Sequence, residues 1–238
     1  LSLGLNVILI MQLTYYCTDL LGMRATLVGA LLLVSKFFDG VTDSFIGFII
    51  DRTHTKFGKA RPYEIFIVII WFLTIVLFSA PELGMVGKSI FVLVLYTLIN
   101  SICATYLNGG DPVYLARSIR SEQNRVSIMS FNGSVIMIGL IVFSMILPQL
   151  ISGIGTTKIG WTIIAASFGI PLAIIGMSRF IFVKEVAVNE TKEQEEAQRI
   201  SFKTSVKCIV KNKYIWIFAA MTLVVNFVSN VGTAVNIY

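Results

Sequence analysis

The stretch TLVGALLLVSKFFDGVTDSFIGFII, residues 26–50, combines the apolarity of a membrane-spanning helix with charged side chains near its middle. A segment of this length is sufficient to cross about 30 Å of hydrocarbon. Its charged residues are Lys36, Asp39 and Asp43, and each of them is costly to place at membrane depth. The stretch therefore predicts a transmembrane helix whose internal charges require an explanation.

The composition of the whole chain also indicates a membrane protein. Of its 238 residues, 56% are hydrophobic and 13% are charged, about half the charged share of a soluble domain. The net charge of +6 does not indicate a nucleic-acid partner, because the basic residues lie in short loops between apolar segments, where they determine topology. We therefore predict an all-α polytopic membrane protein with the lipid bilayer as its surroundings.

Seven apolar segments are predicted as transmembrane helices. The first and last are expected to be incomplete, and the seven are residues 1–17, 26–50, 63–81, 89–108, 126–150, 161–183 and 214–238. Basic residues are concentrated in the second, fourth and sixth intervening loops. The positive-inside rule therefore predicts that these loops and the N-terminus are cytoplasmic. We expect the chain to be a fragment of a longer protein in a cell membrane, most simply a bacterial inner membrane.

Residues 184–213 differ from the other loops in length and composition. They are polar, rich in Glu and Lys, and they separate a six-helix bundle (1–183) from the start of a seventh helix (214–238). Their second half predicts an amphipathic helix on the inner membrane surface, because apolar residues recur at helical spacing: Phe202, Val206, Ile209 and Val210. This layout is typical of a transporter built from two six-helix halves, although two tandem domains of another kind would give the same pattern.

The charged residues of the second helix share one face. At 100° per residue, Lys36, Asp39, Asp43 and Gly47 fall within a stripe about 80° wide. Each acid at this depth costs roughly 2.5–3.5 kcal/mol, so the stripe must face the bundle interior or a water-filled cavity.

Two explanations of these charges are open. Lys36 and Asp39 could form a structural ion pair, but a second carboxylate on the same face is then left over. Two carboxylates one turn apart repel each other unless a cation lies between them or they share a proton. We therefore favour a cation site at Asp39 and Asp43, which sodium, lithium or a proton could occupy.

The motif KFFDGVTDSFIG, residues 36–47, resembles the second helix of the glycoside–pentoside–hexuronide:cation symporters, a family within the major facilitator superfamily. The segments DR (51–52), FGKARPY (57–63) and YYCTDLLG (15–22) extend the resemblance. It implies the major facilitator fold and symport of a sugar or glycoside with a coupling cation, bound at Asp39 and Asp43 beside their charge partner Lys36. It also implies that sugar binds between two halves, of which this chain would supply the N-terminal one and helix seven, while the C-terminal half is missing.

Further site residues depend on a looser match. The segment TYLNGGDPVY, residues 105–114, offers the chemistry of the family's fourth helix at shifted spacing. The resemblance implies that Thr105 or Asn108 completes the cation shell. It also implies that Asp111 is a sugar-binding acid and that Tyr114 stacks on the sugar ring, with a plain helix end as the alternative. Asn132 replaces an arginine that the family uses for the sugar, which favours a neutral glycoside over a hexuronide.

The basic loop after the second helix resembles the superfamily's loop between helices two and three. Asp51 lies at the C-terminal end of its helix, where a carboxylate opposes the helix dipole and needs a basic partner. Arg52 or Arg61 could supply that partner and so lock an inner gate. Gly47 and Gly58 permit close approach of backbones. The alternative is that these residues only fix topology.

These observations predict a secondary active transporter that works by alternating access, and not an enzyme. The sequence contains no Walker loop and no nucleophile or metal motif. The only ion expected is the coupling cation, Na⁺, H⁺ or Li⁺, and no cofactor is expected. Two alternatives remain: an uncoupled facilitator or lipid-type carrier on the same fold, and a membrane sensor without transport.

Overall fold

The computed structural model describes residues 1–53, 55–119, 121–185, 211–214, 216–217 and 220–221. The chain forms two compact units, Leu1–Ala187 and Val188–Tyr238. The predicted amphipathic helix of the linker and most of the predicted seventh helix lie outside the described residues.

The first unit is a helical bundle, and no strand occurs among its described residues. Its α-helices are α1 (Ser2–Met11), α2 (Leu13–Tyr15), α3 (Ala25–Arg52), α4 (Phe66–Leu77), α5 (Met85–Thr97), α6 (Thr105–Ser118), α7 (Glu122–Ile154) and α8 (Lys158–Phe182). π turns at Tyr16–Leu20 and Leu98–Ala104 continue α2 and join α5 to α6. Five helical segments of the described residues are long and apolar enough to cross a membrane, which confirms the prediction of an all-α membrane protein.

The observed helices begin and end at other residues than predicted, and the third and fourth predicted helices also differ in their course. The third predicted helix, 63–81, is a short 3₁₀ turn (Arg61–Ile65) followed by the 12 residues of α4. α4 ends before Pro81, which cannot continue a helix and disfavours helical backbone in the residue before it. The fourth predicted helix, 89–108, continues through α6 to Ser118 despite Pro112.

A buried polar chain joins α1, α4 and α8. Asn6 Nδ2 donates to Thr74 Oγ1 at 2.8 Å, and Trp71 Nε1 donates to Ser2 Oγ at 2.8 Å. Ser2 Oγ in turn donates to the backbone oxygen of Leu172 at 2.7 Å. All four side chains are buried, so these hydrogen bonds supply the partners that water cannot supply in the interior.

The two ends of the bundle are chemically different. We call the end that carries residues 55–60, 119, 121 and 183–185 the basic end, and the other the opposite end. At the opposite end, Lys158 Nζ lies 2.5 Å from Glu82 Oε1 and joins the loop after α4 to the start of α8. The hydrogen bond from Lys158 lowers the pKa of the Glu82 carboxyl below its ordinary value.

Candidate cation and substrate site

Asp39 is held at both of its carboxylate oxygens. Lys36 Nζ, one turn earlier on α3, lies 2.7 Å from Oδ2. Ser101 Oγ, in the π turn Leu98–Ala104, donates to Oδ1. The side chain of Asp39 is 17% exposed and that of Lys36 is 63% exposed. The carboxylate is therefore largely buried, whereas the side chain of its lysine partner is exposed.

Asp43 lies one turn further along α3 and has fewer partners. Thr105 Oγ1, at the start of α6, donates to Asp43 Oδ1 at 3.0 Å and also lies 3.3 Å from the backbone oxygen of Asn100. Among the described residues, no basic side chain forms a salt bridge with Asp43. The second acid is therefore the less neutralised of the two.

Both acids line one cavity of about 460 Å³, a size typical of small-ligand sites. All the residues predicted for cation binding share it, together with apolar side chains from α1. Its polar lining comprises Lys36, Asp39, Asp43, Asn100, Thr105 and Asn108. The structure thus brings together side chains that lie far apart in sequence, on α3 and on the helix that continues through the π turn.

The donor set of this cavity consists of oxygen atoms. Carboxylates, a hydroxyl and amide oxygens suit hard cations. Among the residues that the structure describes, no group of three or more His, Cys, Asp and Glu side chains could hold a metal ion. The donor chemistry of this cavity is therefore that of a site for a hard cation or a proton.

Asn100 and Ser101 also belong to this region, although neither was predicted as a site residue from the sequence. Ser101 precedes Thr105 by four residues, so regular helical spacing would already have placed the two hydroxyls on one face. That spacing was the available signal, whereas the π turn itself has no evident sequence signature here.

The predicted substrate residues lie elsewhere. Asp111, Tyr114 and Asn132 line a second cavity of about 530 Å³ with residues of α6, α7 and α8. Asp111 Oδ1 lies 2.7 Å from Arg179 Nη2, and the Tyr114 hydroxyl lies 2.9 Å and 2.8 Å from the backbone oxygens of Arg179 and Val183. Tyr114 is only 2% exposed, so in this conformation its ring is covered by protein.

Arg179 links this second cavity to a buried acid that the sequence analysis did not single out. Its Nη2 lies 3.4 Å from Glu64 Oε1 as well as close to Asp111. Glu64 is 4% exposed. A single arginine in the last turns of an otherwise apolar helix was the signal that could have predicted a carboxylate partner.

Two of the predicted gate residues, Gly58 and Arg61, lie at the loop of the basic end that contacts Glu185. The backbone N–H groups of Lys59, Ala60 and Arg61 donate to the Glu185 carboxylate at 3.0, 2.8 and 2.5 Å. Gly58 has φ +120°, and a Cβ atom there would lie 2.5 Å from the same carboxylate. This loop is therefore bound to the chain just after α8, and Glu185 is a further residue that the sequence analysis missed.

The arginines predicted for the gate have different surroundings. The Arg61 guanidinium donates to the backbone oxygen of Phe180 at 2.9 and 2.6 Å, and the Arg52 guanidinium lies 5.9 Å from the centre of the Phe48 ring. The side chain of Asp51, their predicted partner, lies outside the described part of the structure. Gly47 has no atom of the described chain within 4 Å of an added Cβ.

Comparison with known proteins identifies a family. The chain matches the family model described as MFS/sugar transport protein over residues 2–238. It is 27% identical to an uncharacterized symporter, YnaJ, of Bacillus subtilis, over 95% of this chain and 49% of that protein. It is also 27% identical to an isoprimeverose transporter of Lactiplantibacillus pentosus (92% and 45%) and 29% identical to a putative glycoside/cation symporter, YagG, of Escherichia coli (76% and 38%). The chain spans no more than about half the length of these relatives.

Proposed function

Because the chain belongs to the MFS/sugar transport protein family, we propose that it forms the N-terminal bundle of a symporter that couples a monovalent cation to the uptake of a neutral sugar or glycoside. The family is one of multi-pass membrane transporters and not of enzymes. The observation that carries the proposal is the cavity in which two intramembrane acids face one lysine, a hydroxyl and two amides.

The charges of this cavity support coupling to a single cation. Two carboxylates and one ammonium leave one negative charge, which is costly in a membrane interior. Binding one monovalent cation or proton beside Asp43 removes that charge. A cation bound in this way stabilises one state of the carrier, and so makes sugar movement depend on the ion gradient.

Two observations support a neutral substrate. In the second cavity, the described charged side chains are Asp111 and Arg179, and they pair with each other at 2.7 Å. Asn132 contributes an amide, which can bind hydroxyl groups without attracting an acidic sugar. Relatives named for isoprimeverose and for glycosides support a sugar or glycoside as the substrate, with Asp111, Tyr114 and Asn132 as proposed contacts.

We place the basic end of the bundle, and with it the N-terminus, on the cytoplasmic side of a bacterial cell membrane. Basic residues near the ends of membrane spans are retained on the inner side. Arg52, Arg61 and the loop that contains Gly58 would then belong to an inner gate.

The proposal can be tested by uptake in cells that lack their own sugar carriers and express the full-length gene. Labelled neutral glycosides and one hexuronide are supplied with sodium, without sodium, and with the proton gradient collapsed. We expect accumulation of a neutral glycoside that requires one cation and is lost in Asp43→Asn. Glu82→Gln, which removes an exposed acid outside the membrane, is the control and should retain coupling.

Two results would contradict the proposal. Sugar that only equilibrates, with no response to either ion gradient or to Asp43→Asn, would leave the acids as structural charges. Accumulation of the hexuronide in preference to every neutral glycoside would overturn the substrate class.

A further inference from the structure

We propose that Ser101 is a positioning residue of the cation site, which fixes Asp39 through its hydroxyl so that cation exchange takes place at Asp43. The inference rests on the proposed cation-coupled function and assigns a role to a residue that lies outside the sequence motif of the second helix.

The first observation is the placement of the Ser101 hydroxyl. Ser101 is fully buried, and its Oγ donates to Asp39 Oδ1. The other acceptor within reach, the backbone oxygen of Ser35, is 3.3 Å away. A hydroxyl has one proton to donate, and a charged carboxylate is the stronger acceptor. The proton of Ser101 is therefore directed to Asp39.

The second observation is the register of two helices. Ser101 and Thr105 are four residues apart, as are Asp39 and Asp43, and each hydroxyl meets one acid. The π turn Leu98–Ala104 contains Ser101 and ends directly before Thr105. π turns inside α-helices occur frequently at functional sites, and this one delivers two hydroxyls to successive acids of α3.

The third observation is the difference between the acids. Lys36 occupies Oδ2 of Asp39 at 2.7 Å, so with Ser101 both oxygens of that carboxylate are engaged. Among the described residues, Asp43 has the Thr105 hydroxyl at 3.0 Å and no basic partner. The carboxylate of Asp39 is thus held in one orientation, while that of Asp43 is available to an incoming cation.

A fixed ligand binds a cation more tightly than a mobile one, because less conformational freedom is lost on binding. Without the Ser101 hydroxyl, Oδ1 of Asp39 loses its donor and the carboxylate can rotate. A hydrogen bond to a charged group corresponds to about tenfold or more in an equilibrium constant. We therefore expect Ser101→Ala to raise the half-saturating cation concentration about tenfold, with sugar KM at saturating cation unchanged.

The experiment measures initial sugar uptake against cation concentration in membrane vesicles that contain the full-length transporter. The variants are Ser101→Ala, Ser101→Thr, which keeps the donor, and Ser35→Ala as the matched control. Ser35 is also fully buried on α3, and its hydroxyl has no hydrogen-bond partner in the described part of the chain. We expect Ser101→Thr to restore the cation dependence towards wild type and Ser35→Ala to leave it unchanged.

The outcomes separate this inference from the function on which it rests. Wild-type uptake that does not depend on the concentration of any cation overturns the proposed function itself. Cation-dependent wild type with an unaltered Ser101→Ala curve overturns only the role of Ser101. The same holds if Ser101→Ala lowers the maximal rate but not the half-saturating concentration, since packing alone would do that. If Ser101→Ala fails to reach the membrane, Ser101→Cys, which keeps the size and weakens the donor, carries the same expectation.

Discussion

Asp39 and Asp43 are the same residue type on the same face of α3, yet they have different partners. Asp39 has an ammonium at 2.7 Å and a buried hydroxyl, whereas Asp43 has one hydroxyl, from Thr105. Hydrogen bonds to charged groups contribute roughly 1.5–3 kcal/mol each, so Asp39 is held more firmly. We therefore expect cation binding to depend on the hydroxyl partner of Asp43 as well as on Ser101.

Thr105→Val tests this dependence, because valine keeps the shape of threonine and removes the hydroxyl. We expect the half-saturating cation concentration to rise about tenfold, which corresponds to ~1.4 kcal/mol. Thr105→Ser keeps the hydroxyl and should behave like the wild type. The measurement is the cation dependence of initial uptake, and coincident curves for Thr105→Val and wild type would show that this hydroxyl takes no part.

At the scale of elements, regular helices were predicted better than irregular ones. α3 is continuous over 28 residues, and Lys36, Asp39 and Asp43, which a constant 100° rotation puts on one face, line one cavity. Gly47, the fourth residue of that stripe, is not among the residues that line it. The π turn Leu98–Ala104 changes that rotation without changing the apolar composition of the segment. Hydropathy therefore predicted a helix there but gave no reason to single out Asn100 or Ser101.

Substitution by alanine is expected to affect stability differently at two glycines, Gly58 in the loop at the basic end and Gly47 in α3. Gly58→Ala forces a side chain into left-handed backbone at φ +120° and towards the Glu185 carboxylate. Strain of this kind costs about 1–3 kcal/mol, so the thermal unfolding temperature of the detergent-solubilised transporter should fall. Gly47→Ala lies in a helix with open space around it and should be neutral or stabilising by about 0.5–1 kcal/mol. Equal changes in the unfolding temperature for both substitutions would show that the backbone conformation of Gly58 and its contact with Glu185 do not contribute to stability.

Glu185→Gln tests the contact between this loop and the end of α8. The carboxylate accepts three backbone N–H groups, and a neutral amide oxygen accepts them more weakly. We expect faster proteolytic cleavage within residues 55–60 of the variant in inverted vesicles, with Glu82→Gln as the control. Identical cleavage rates would indicate that the loop keeps its conformation without the charge.

At the scale of the whole molecule, the sequence predicted the order of helices but not their neighbours. A bilayer requires apolar helices separated by polar loops, and this alternation can be recognised directly in the amino-acid sequence. Which helix faces which depends on packing. The placement of Asp111 and Tyr114 against the end of α8, in a cavity different from that of Asp43, therefore could not be predicted from spacing.

The orientation of the molecule in the membrane can be measured with single cysteines in the full-length transporter, after Cys208 and every cysteine outside residues 1–238 are replaced by serine. Cys17 and Cys103 are buried, so they should contribute little background. In intact cells, an impermeant thiol reagent should label Glu82→Cys at the opposite end but not Lys56→Cys at the basic end. Inverted vesicles should give the reverse pattern. Labelling of Lys56→Cys from outside would reverse the proposed topology.

The charge of the first cavity has a consequence for how the transporter would respond to voltage. The described side chains carry one net negative charge when no cation is bound and none when one cation is bound. Moving one elementary charge across the membrane potential corresponds to about 2.3 kcal/mol per 100 mV. Under the proposed function, an interior-negative potential would act on the empty bundle and return its site to the outer face, while the loaded bundle would cross without an electrical force.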